Sequence, residues 1–319
     1  MRHLTLSVLL VLACSKGGPG GGGGGDGPEP PPPSGWMSGS GGFFGATKDG
    51  THFTAMPSAT SQDLFSLVCV GHELGWAAGS RGTILATTNG GGNWSAQTVP
   101  SLATLRGIAF ADAWHGIAAG DSGTLLQSKD GGASWALVAS PVSSDLSAAA
   151  LSTDASLAWA AGASGTILRS TDGGSSFSLA RSGGPQVRAI KFAADGAHGF
   201  AAGDGGTLLA TADGGATWRG LPAAPADLRG VSVSESGARV VAVGASGLIW
   251  RSTDSGASWS QVASGTSRTL NAIGFFDEDP DVGWAVGASG TLLVTEDGAA
   301  TFAALPSPSE VDLYSVEDL

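Results

Sequence analysis

The segment Gly-Trp-Ala-Ala-Gly-Ser-Arg-Gly-Thr-Ile-Leu, residues 75–85, recurs in altered form along most of the chain. A constant period near 41 residues, without the 3.6-residue apolar stripes of helical repeats, is typical of four-stranded propeller blades. The repeat therefore predicts a ring of similar β-sheets. Its second glycine falls at six positions, separated by 41, 42, 41, 41 and 43 residues: Gly79, Gly120, Gly162, Gly203, Gly244 and Gly287.

Each repeat contains four short apolar runs separated by turn residues. In one unit, we predict strands at residues 105–110, 116–120, 124–128 and 135–138. Aspartate and glycine fill the turns between them, because aspartate accepts local backbone hydrogen bonds and glycine readily adopts positive φ. The apolar runs do not alternate cleanly with polar residues, as expected for sheets that are covered on both faces.

Incomplete units at the two ends of the repeat complement each other. Residues 35–53 resemble strands two to four of a unit, and residues 312–316 resemble strand one. Six whole units and this composite unit make seven, and pairing of the terminal strands would close the ring. We therefore expect an all-β, seven-bladed propeller of four-stranded blades over residues 36–319, with one blade closed by the N- and C-terminal strands.

The segment before the repeat has the composition of a targeting signal followed by a linker. After a basic start, ten apolar residues, too few to span a bilayer, end in Val-Leu-Ala-Cys at Cys14. This ending resembles the lipobox of bacterial lipoproteins, whose cysteine is acylated, and Ser15 then implies sorting to the outer membrane. We predict a lipoprotein signal peptide at residues 1–13 and a lipidated cysteine with a Gly/Pro-rich linker at residues 14–35. The alternative is an ordinary signal peptide with a chance cysteine.

The charge balance and the side-chain inventory exclude several classes of function. With 27 acidic and 15 basic residues, the net charge of −12 disfavours nucleic acid, because phosphate binding needs a clustered cationic surface. No histidine pair has metal-ligand spacing, and no Walker-type loop or Gly-x-Ser-x-Gly elbow occurs. The acidic loop at residues 277–281 lacks the glycine and glutamate of an EF-hand, so a solvated turn is favoured over a Ca²⁺ site. We expect a monomer with no cofactor and no metal.

A second motif follows the repeating glycine. Residues 170–177, Ser-Thr-Asp-Gly-Gly-Ser-Ser-Phe, and residues 252–259, Ser-Thr-Asp-Ser-Gly-Ala-Ser-Trp, resemble the Asp-box, or BNR, motif. We interpret its acidic or amide residue and its aromatic residue as structural, because copies spread around a ring cannot converge on one substrate. These residues are Asn89, Asp130, Asp172, Asp213, Asp254 and Asp297, with Trp94, Trp135, Phe177, Trp218, Trp259 and Phe302.

The Asp-box occurs in sialidases, sortilin-like receptors, xyloglucanases and the photosystem II stability/assembly factor family. The extended pattern at residues 283–298 resembles the assembly-factor family most closely, and the similarity covers residues 36–319. The resemblance implies a seven-bladed propeller that binds partner proteins, or assists their assembly, in photosynthesis. Together with the lipobox, it predicts an outer-membrane lipoprotein that faces the periplasm or the cell surface and binds envelope proteins.

The residues argue against an enzyme. A sialidase-like site needs a Tyr nucleophile with a Glu base, but the chain has a single tyrosine, Tyr314, and lacks the Phe/Tyr-Arg-x-Pro motif. A xyloglucanase-like cleft lies between two propellers, and the repeat predicts a single one. The alternative is a glycan-binding or glycosidase-like propeller in which Arg106, Arg188, Arg229 and Tyr314 meet around a pocket.

One position in each repeat is a candidate binding residue. The first strand of a propeller blade is innermost, so the second residue of each first strand lies at one mouth of the channel. The loops between strands two and three share this mouth, and the family resemblance implies an arginine-rich patch for partner proteins. We therefore predict a partner-binding mouth formed by Arg106, Arg188, Arg229, Asn271, Tyr314 and Arg81.

An alternative interpretation of the same arginines is structural. Aspartates stand one place before several first strands, and arginine–aspartate pairs between blades would hold neighbouring blades in register. The aspartates concerned are Asp63, Asp145, Asp227 and Asp312.

Overall fold

A computed structural model describes residues 35–276 and 280–318 of the chain. The described part contains 28 strands, arranged in seven antiparallel sheets of four, and seven single 3-10 turns. The predicted seven-bladed propeller is confirmed. Cys14, the predicted signal peptide, nearly all of the predicted linker and residues 277–279 of the acidic loop lie outside the described residues.

The strands of each blade follow one another from the channel outwards. Blade 1 consists of β28 (Leu313–Asp318), β1 (Gly35–Gly39), β2 (Phe44–Thr47) and β3 (Phe53–Met56). Blade 2 consists of β4 (Leu64–Val70), β5 (Leu74–Gly79), β6 (Ile84–Thr87) and β7 (Ser95–Ala96). Blade 3 consists of β8 (Leu105–Phe110), β9 (Gly116–Gly120), β10 (Leu125–Ser128) and β11 (Ala136–Leu137). Blade 4 consists of β12 (Leu146–Leu151), β13 (Ala158–Gly162), β14 (Ile167–Ser170) and β15 (Ser178–Arg181).

The remaining three blades repeat this order. Blade 5 consists of β16 (Val187–Phe192), β17 (Gly199–Gly203), β18 (Leu208–Thr211) and β19 (Arg219–Gly220). Blade 6 consists of β20 (Leu228–Val233), β21 (Val240–Gly244), β22 (Ile249–Ser252) and β23 (Ser260–Val262). Blade 7 consists of β24 (Leu270–Phe275), β25 (Gly283–Gly287), β26 (Leu292–Thr295) and β27 (Ala303–Ala304).

The core lies between adjacent blades. The second strand of each blade is buried along nearly its whole length, because a neighbouring sheet covers each of its faces. Between blades 2 and 3, for example, Trp76 stacks on Phe110 with ring centroids 3.6 Å apart, and Ile84 and Leu105 pack in the same cluster. Burial on both faces accounts for the low charge and for the absence of a clean polar alternation.

The ring closes as the terminal fragments predict. In blade 1, β28 pairs with β1, with Val316 opposite Met37 and Leu313 opposite Gly39. Leu313 and Val316 are 0% and 2% exposed. Because the terminal strands pair, every second strand of the described blades, β1 included, is paired on both edges.

Candidate functional site

Each of the seven inner strands has a one-residue bulge immediately after its first residue. In blade 3, Leu105 pairs with Gly120 and Gly107 pairs with Ala119, so Arg106 has no partner in the ladder. A bulge redirects the side chain of the extra residue, and all seven bulged residues line one central channel of about 280 Å³. They are Phe65, Arg106, Ser147, Arg188, Arg229, Asn271 and Tyr314.

The repeating glycine explains why the chain bulges at this point. The second strand of each blade ends in this glycine, and a Cβ at Gly244 would collide with the carbonyl oxygen of Asp227. The same contact occurs in all seven blades, for example between Gly79 and the carbonyl oxygen of Asp63. Only glycine lets the backbone come this close, so the glycine that marks the repeat also sets the mouth of the channel.

Two of the three ring arginines already bind a carboxylate of their own blade. The Nε and Nη2 atoms of Arg106 donate to the two carboxylate oxygens of Asp121, at 2.5 and 3.2 Å. Arg188 binds Asp204 in the same bidentate way, with a distance of 2.9 Å from Nη2 to Oδ2. Both aspartates begin the 3-10 turn of the arginine's own blade. The alternative of arginine–aspartate pairs between blades is therefore wrong for these two arginines.

The third arginine lacks such a partner. Arg229 is exposed on the second residue of β20, and the 3-10 turn of its blade begins with Ala245 where the other two turns have aspartate. Within the part of the chain that the structure describes, no carboxylate forms an ion pair with Arg229. Its guanidinium is thus the uncompensated charge of the ring.

The aspartates that precede four of the first strands connect blades without arginine. The Oδ1 atom of Asp145 accepts a hydrogen bond of 2.8 Å from the backbone N–H of Ser122, in the turn of the preceding blade. The other three make the same contact at 2.7–2.8 Å: Asp63 with Gly41, Asp227 with Gly205, and Asp312 with Ser289. These carboxylates hold neighbouring turns in place, and among the described residues none of them forms an ion pair with a ring arginine.

The side of the ring away from Arg188 is aromatic. The rings of Phe65 and Tyr314 lie 5.1 Å apart at 44°, and the Cζ atom of Arg106 lies 5.5 Å from the Phe65 centroid. The Tyr314 hydroxyl accepts a hydrogen bond of 2.9 Å from Ser40 Oγ, and Asn271 Nδ2 donates to the Leu313 carbonyl at 2.8 Å. The mouth therefore combines an aromatic surface with the guanidinium of Arg229, which has no carboxylate partner among the described residues.

Arg81 is not part of the ring. It lies in the 3-10 turn Ser80–Gly82 with φ of +56°, exposed, and is not among the described residues that line the channel. Two further polar residues of this face were not predicted from the sequence. Gln186 Nε2 donates to Ser147 Oγ at 2.7 Å, and Arg268 donates to the Ser289 carbonyl at 2.8 Å. Gln186 stands where other repeats have aspartate. This equivalent position in the repeat is the signal from which a role for Gln186 could have been predicted.

The Asp-boxes lie at the opposite end of the blades, in the hairpins between third and fourth strands. In blade 3, Asp130 accepts hydrogen bonds from the N–H and Oγ of Ser134 and from Ser128 Oγ, at 2.9, 2.5 and 2.9 Å. Asn89 takes the same place in blade 2, and Asp172, Asp213, Asp254 and Asp297 take it in blades 4 to 7.

These hydrogen bonds stabilise the ionised carboxylates. The hydroxyl of Ser176 is the largest cause that lowers the pKa of Asp172 to about 2, and the hydroxyls of Thr217 and Ser258 do the same for Asp213 and Asp254. The lowered pKa thus has a local structural cause in the hairpin.

The aromatic residue of each box packs into a cluster between blades. Trp135 is 7% exposed and meets Phe110 edge to face. Tryptophans of the preceding blades add hydrogen bonds to box carbonyls, as Trp76 Nε1 does to Gly131 at 2.9 Å. The other box aromatics, Trp94, Phe177, Trp218, Trp259 and Phe302, pack in the equivalent clusters.

The described residues show neither the tyrosine–carboxylate pair of a sialidase-like site nor a metal centre. Tyr314 has Ser40, and no carboxylate, as its hydrogen-bond partner within residues 35–276 and 280–318. In the same part of the chain, no three His, Cys, Asp or Glu side chains are placed to hold a metal ion. No helix there is long and apolar enough to cross a bilayer.

Comparison with known proteins agrees with the fold. Residues 88–181 and 182–271, together more than half of the chain, match the family model described as Photosynthesis system II assembly factor YCF48. No curated protein matches the sequence.

Three solved structures illustrate the similarity of the fold. YCF48 bound to a D1 peptide is 19% identical, with a TM-score of 0.62, over 76% of this chain and 82% of that one. YCF48 from Cyanidioschyzon merolae is 17% identical, with a TM-score of 0.64, over 80% and 88%. The GH74 xyloglucanase from Xanthomonas campestris is 16% identical, with a TM-score of 0.63, over 85% of this chain but 46% of the enzyme.

Proposed function

Because the chain belongs to the family of the photosynthesis system II assembly factor YCF48, we propose that it is a non-enzymatic propeller that binds partner proteins and assists their assembly. The observation that carries this proposal is the ring of bulged residues at one mouth of the channel. It combines an exposed guanidinium at Arg229 with the aromatic rings of Phe65 and Tyr314. Such a surface suits a polypeptide, which offers both carboxylates and apolar side chains.

The ligand of a related protein supports this choice of partner. A solved YCF48 structure contains a D1 peptide, so a propeller of this family takes a polypeptide segment as ligand. We infer the same class of ligand for this chain and place it at the mouth lined by Arg106, Arg188, Arg229, Asn271 and Tyr314. Arg81, outside the channel lining, would contact only a ligand that extends across the face.

We further propose that the propeller is tethered to the outer membrane in the cell envelope and works as a monomer. The lipobox-like ending at Cys14 and the serine after it support the tether. The Gly/Pro-rich composition of the stretch that follows suits a spacer between the lipid and the propeller. The partners are then proteins of the same compartment.

Photo-crosslinking in intact cells tests the binding surface. A photoreactive amino acid at Ser147, in the ring, is compared with one at Leu179, on the outer strand of the same blade and 49% exposed. Crosslinked partners are identified by mass spectrometry. We expect a defined set of envelope proteins from Ser147 and none of these from Leu179. Equal capture at both positions would contradict binding at the mouth.

Removal of the ring charges gives the second arm of this test. Replacing Arg106, Arg188 and Arg229 by glutamine should abolish capture at Ser147, and added salt should weaken capture by the wild type. The melting temperature should change little, because partly exposed ion pairs contribute about 0 to 1 kcal/mol each. Full capture by the triple variant would refute the mouth as the binding surface.

A glycan-binding propeller is the second candidate function. The observation in its favour is the fold shared with the xyloglucanase, of which this chain spans less than half. Binding to xyloglucan or sialylated oligosaccharides, measured by calorimetry and lost in Tyr314→Phe, would support it over the first proposal.

A further inference from the structure

The three ring arginines have the same backbone position but different electrostatic surroundings. Arg106 and Arg188 each bind an aspartate at the start of their own 3-10 turn, whereas the turn in the blade of Arg229 starts with Ala245. We propose that Arg229 is the residue that anchors the partner, by binding a carboxylate of the bound polypeptide, and that the presence or absence of a turn aspartate selects which ring arginine does so.

The paired arginines are poor anchors because their strongest donors are already used. Both carboxylate oxygens of Asp121 accept hydrogen bonds from Arg106, and the side chains of this pair are 39% and 29% exposed. A ligand carboxylate would have to displace Asp121 or share the guanidinium with it. The Arg188–Asp204 pair, at 29% and 30% exposure, presents the same obstacle.

Arg229 meets no such competition among the described residues. Ala245 removes the carboxylate at the equivalent turn position, and the nearest aspartate along the chain, Asp227, binds the backbone N–H of Gly205 at 2.7 Å. The planar guanidinium fork of Arg229 is therefore free for a bidentate contact, the geometry in which arginine binds carboxylates most strongly.

The rest of the mouth indicates what carries the carboxylate. Asn271 lies between Arg229 and the Phe65–Tyr314 aromatic pair in the order of the ring. An extended peptide could place an acidic group on Arg229 and an apolar side chain on the aromatic pair. A polyphosphate ligand is disfavoured, because the chain has a net charge of −12 and the other two ring arginines are neutralised.

Chemical modification tests the free guanidinium without any ligand. Phenylglyoxal reacts with accessible, uncomplexed arginine, and peptide mapping by mass spectrometry reports each site separately. Arg229 should be modified several times faster than Arg106 and Arg188 in the native protein. Equal rates at the three positions would overturn the assignment of Arg229 as the free member.

Peptide binding tests the anchor, and this part rests on the proposed function. The probe is a fluorescein-labelled peptide with two glutamates flanked by phenylalanines, compared with its glutamine counterpart by fluorescence anisotropy. Arg229→Gln and Ala245→Asp should each weaken binding of the acidic peptide about tenfold, the range expected for a hydrogen-bonded charge pair. Ala245→Asn, which adds the same volume without charge, should weaken binding less than Ala245→Asp does, because hydrogen bonds between neutral groups are weaker than those to charged groups.

Matched controls separate this inference from the proposed function. The neutral double variants Arg106→Ala/Asp121→Ala and Arg188→Ala/Asp204→Ala each remove a complete pair and should weaken binding of the acidic peptide clearly less than Arg229→Gln does. If they lose binding while Arg229→Gln does not, the anchor is misassigned but the mouth remains the binding surface. If no ring variant alters crosslinked capture, both proposals fail. A wild type that does not distinguish the acidic peptide from its glutamine counterpart overturns the carboxylate ligand.

Discussion

Leu313 lies opposite Gly39 in the ladder that joins the two ends of the propeller, and its side chain is completely buried. It packs with Met37 of the neighbouring strand and with Trp284 of blade 7. The last strand of the chain thus contributes to two blades at once. Stability of the whole ring should depend on this short C-terminal segment.

Deletion of residues 311–319 should therefore lower the free energy of unfolding by several kcal/mol, through lost apolar burial and an exposed strand edge. Leu313→Ala alone should cost about 2 to 5 kcal/mol, as for other buried leucines. Leu102→Ala is the control, because Leu102 is 86% exposed and should change stability by about 0.5 kcal/mol at most. Urea unfolding measures all three variants, and an unchanged midpoint after the deletion would contradict the closed ring.

The Asp-box aromatics should matter for stability and not for binding. Trp135→Ala should cost about 3 to 5 kcal/mol, since the indole is 7% exposed between blades 2 and 3. Trp114, in the same blade, is 60% exposed, and Trp114→Ala should change stability by about 0.5 kcal/mol at most. Thermal melting and partner capture are measured together. A Trp135→Ala protein that melts normally yet loses its partner would assign the box to the binding site.

The Asp-box carboxylates should make the stability of the fold depend on pH. The pKa values of Asp172, Asp213 and Asp254 are lowered from 3.8 to about 2 in the folded protein. A carboxyl group whose pKa is lowered in the folded state stabilises that state at pH values above its ordinary pKa. This contribution is lost as the pH falls through the folded pKa of about 2. The melting temperature should hence be constant above about pH 5 and fall steadily towards pH 2.

A pair of variants isolates one of these carboxylates. Asp213→Asn should melt lower at pH 7, because the amide cannot accept from Thr217 Oγ1 at Oδ2, and should lose less stability towards pH 2. Asn89→Asp, the reverse change in blade 2, should steepen the acid dependence. Identical pH profiles for both variants and wild type would show that the boxes do not cause it.

Lipidation at Cys14 has a direct biochemical test. Metabolic labelling with a fatty-acid analogue should mark the wild type, and Cys14→Ser should remain an unlabelled precursor or a soluble envelope protein. Fractionation of the envelope then reports whether the labelled protein is in the outer membrane. Labelling of both proteins would place the lipid elsewhere or refute the lipobox.

Sequence periodicity was sufficient for the fold because every blade repeats the same contacts in the same phase. Counting from the repeating glycine placed Arg106, Arg188 and Arg229 at equivalent positions, and the bulges put all three into the channel. The partner of each arginine was not predictable in this way. Whether Arg106 meets Asp121 of its own blade or an aspartate of the next depends on the direction that the bulge gives its side chain.

Contacts outside the repeating phase were also missed. Arg268 lies in a loop between two blades, where the spacing varies, so alignment of the repeats assigns it no position. Arg81 is the opposite case. Alignment of the repeats gives it a definite position in the 3-10 turn, but among the described residues this turn is not part of the channel lining. Periodicity reports the radial order of the strands more reliably than the distance of a turn from the axis.

The bulges separate the side chains at the mouth of the channel from the strand pairings that hold the ring together. A bulged residue makes no ladder pair, so the strand accepts phenylalanine, arginine, serine, asparagine or tyrosine at the same place, as the seven blades do. The chemical character of the mouth can therefore change by substitution at seven positions while the glycine-defined backbone stays the same. For protein engineering, the seven bulged positions, one in each blade, can be varied together in a library while the scaffold is kept unchanged.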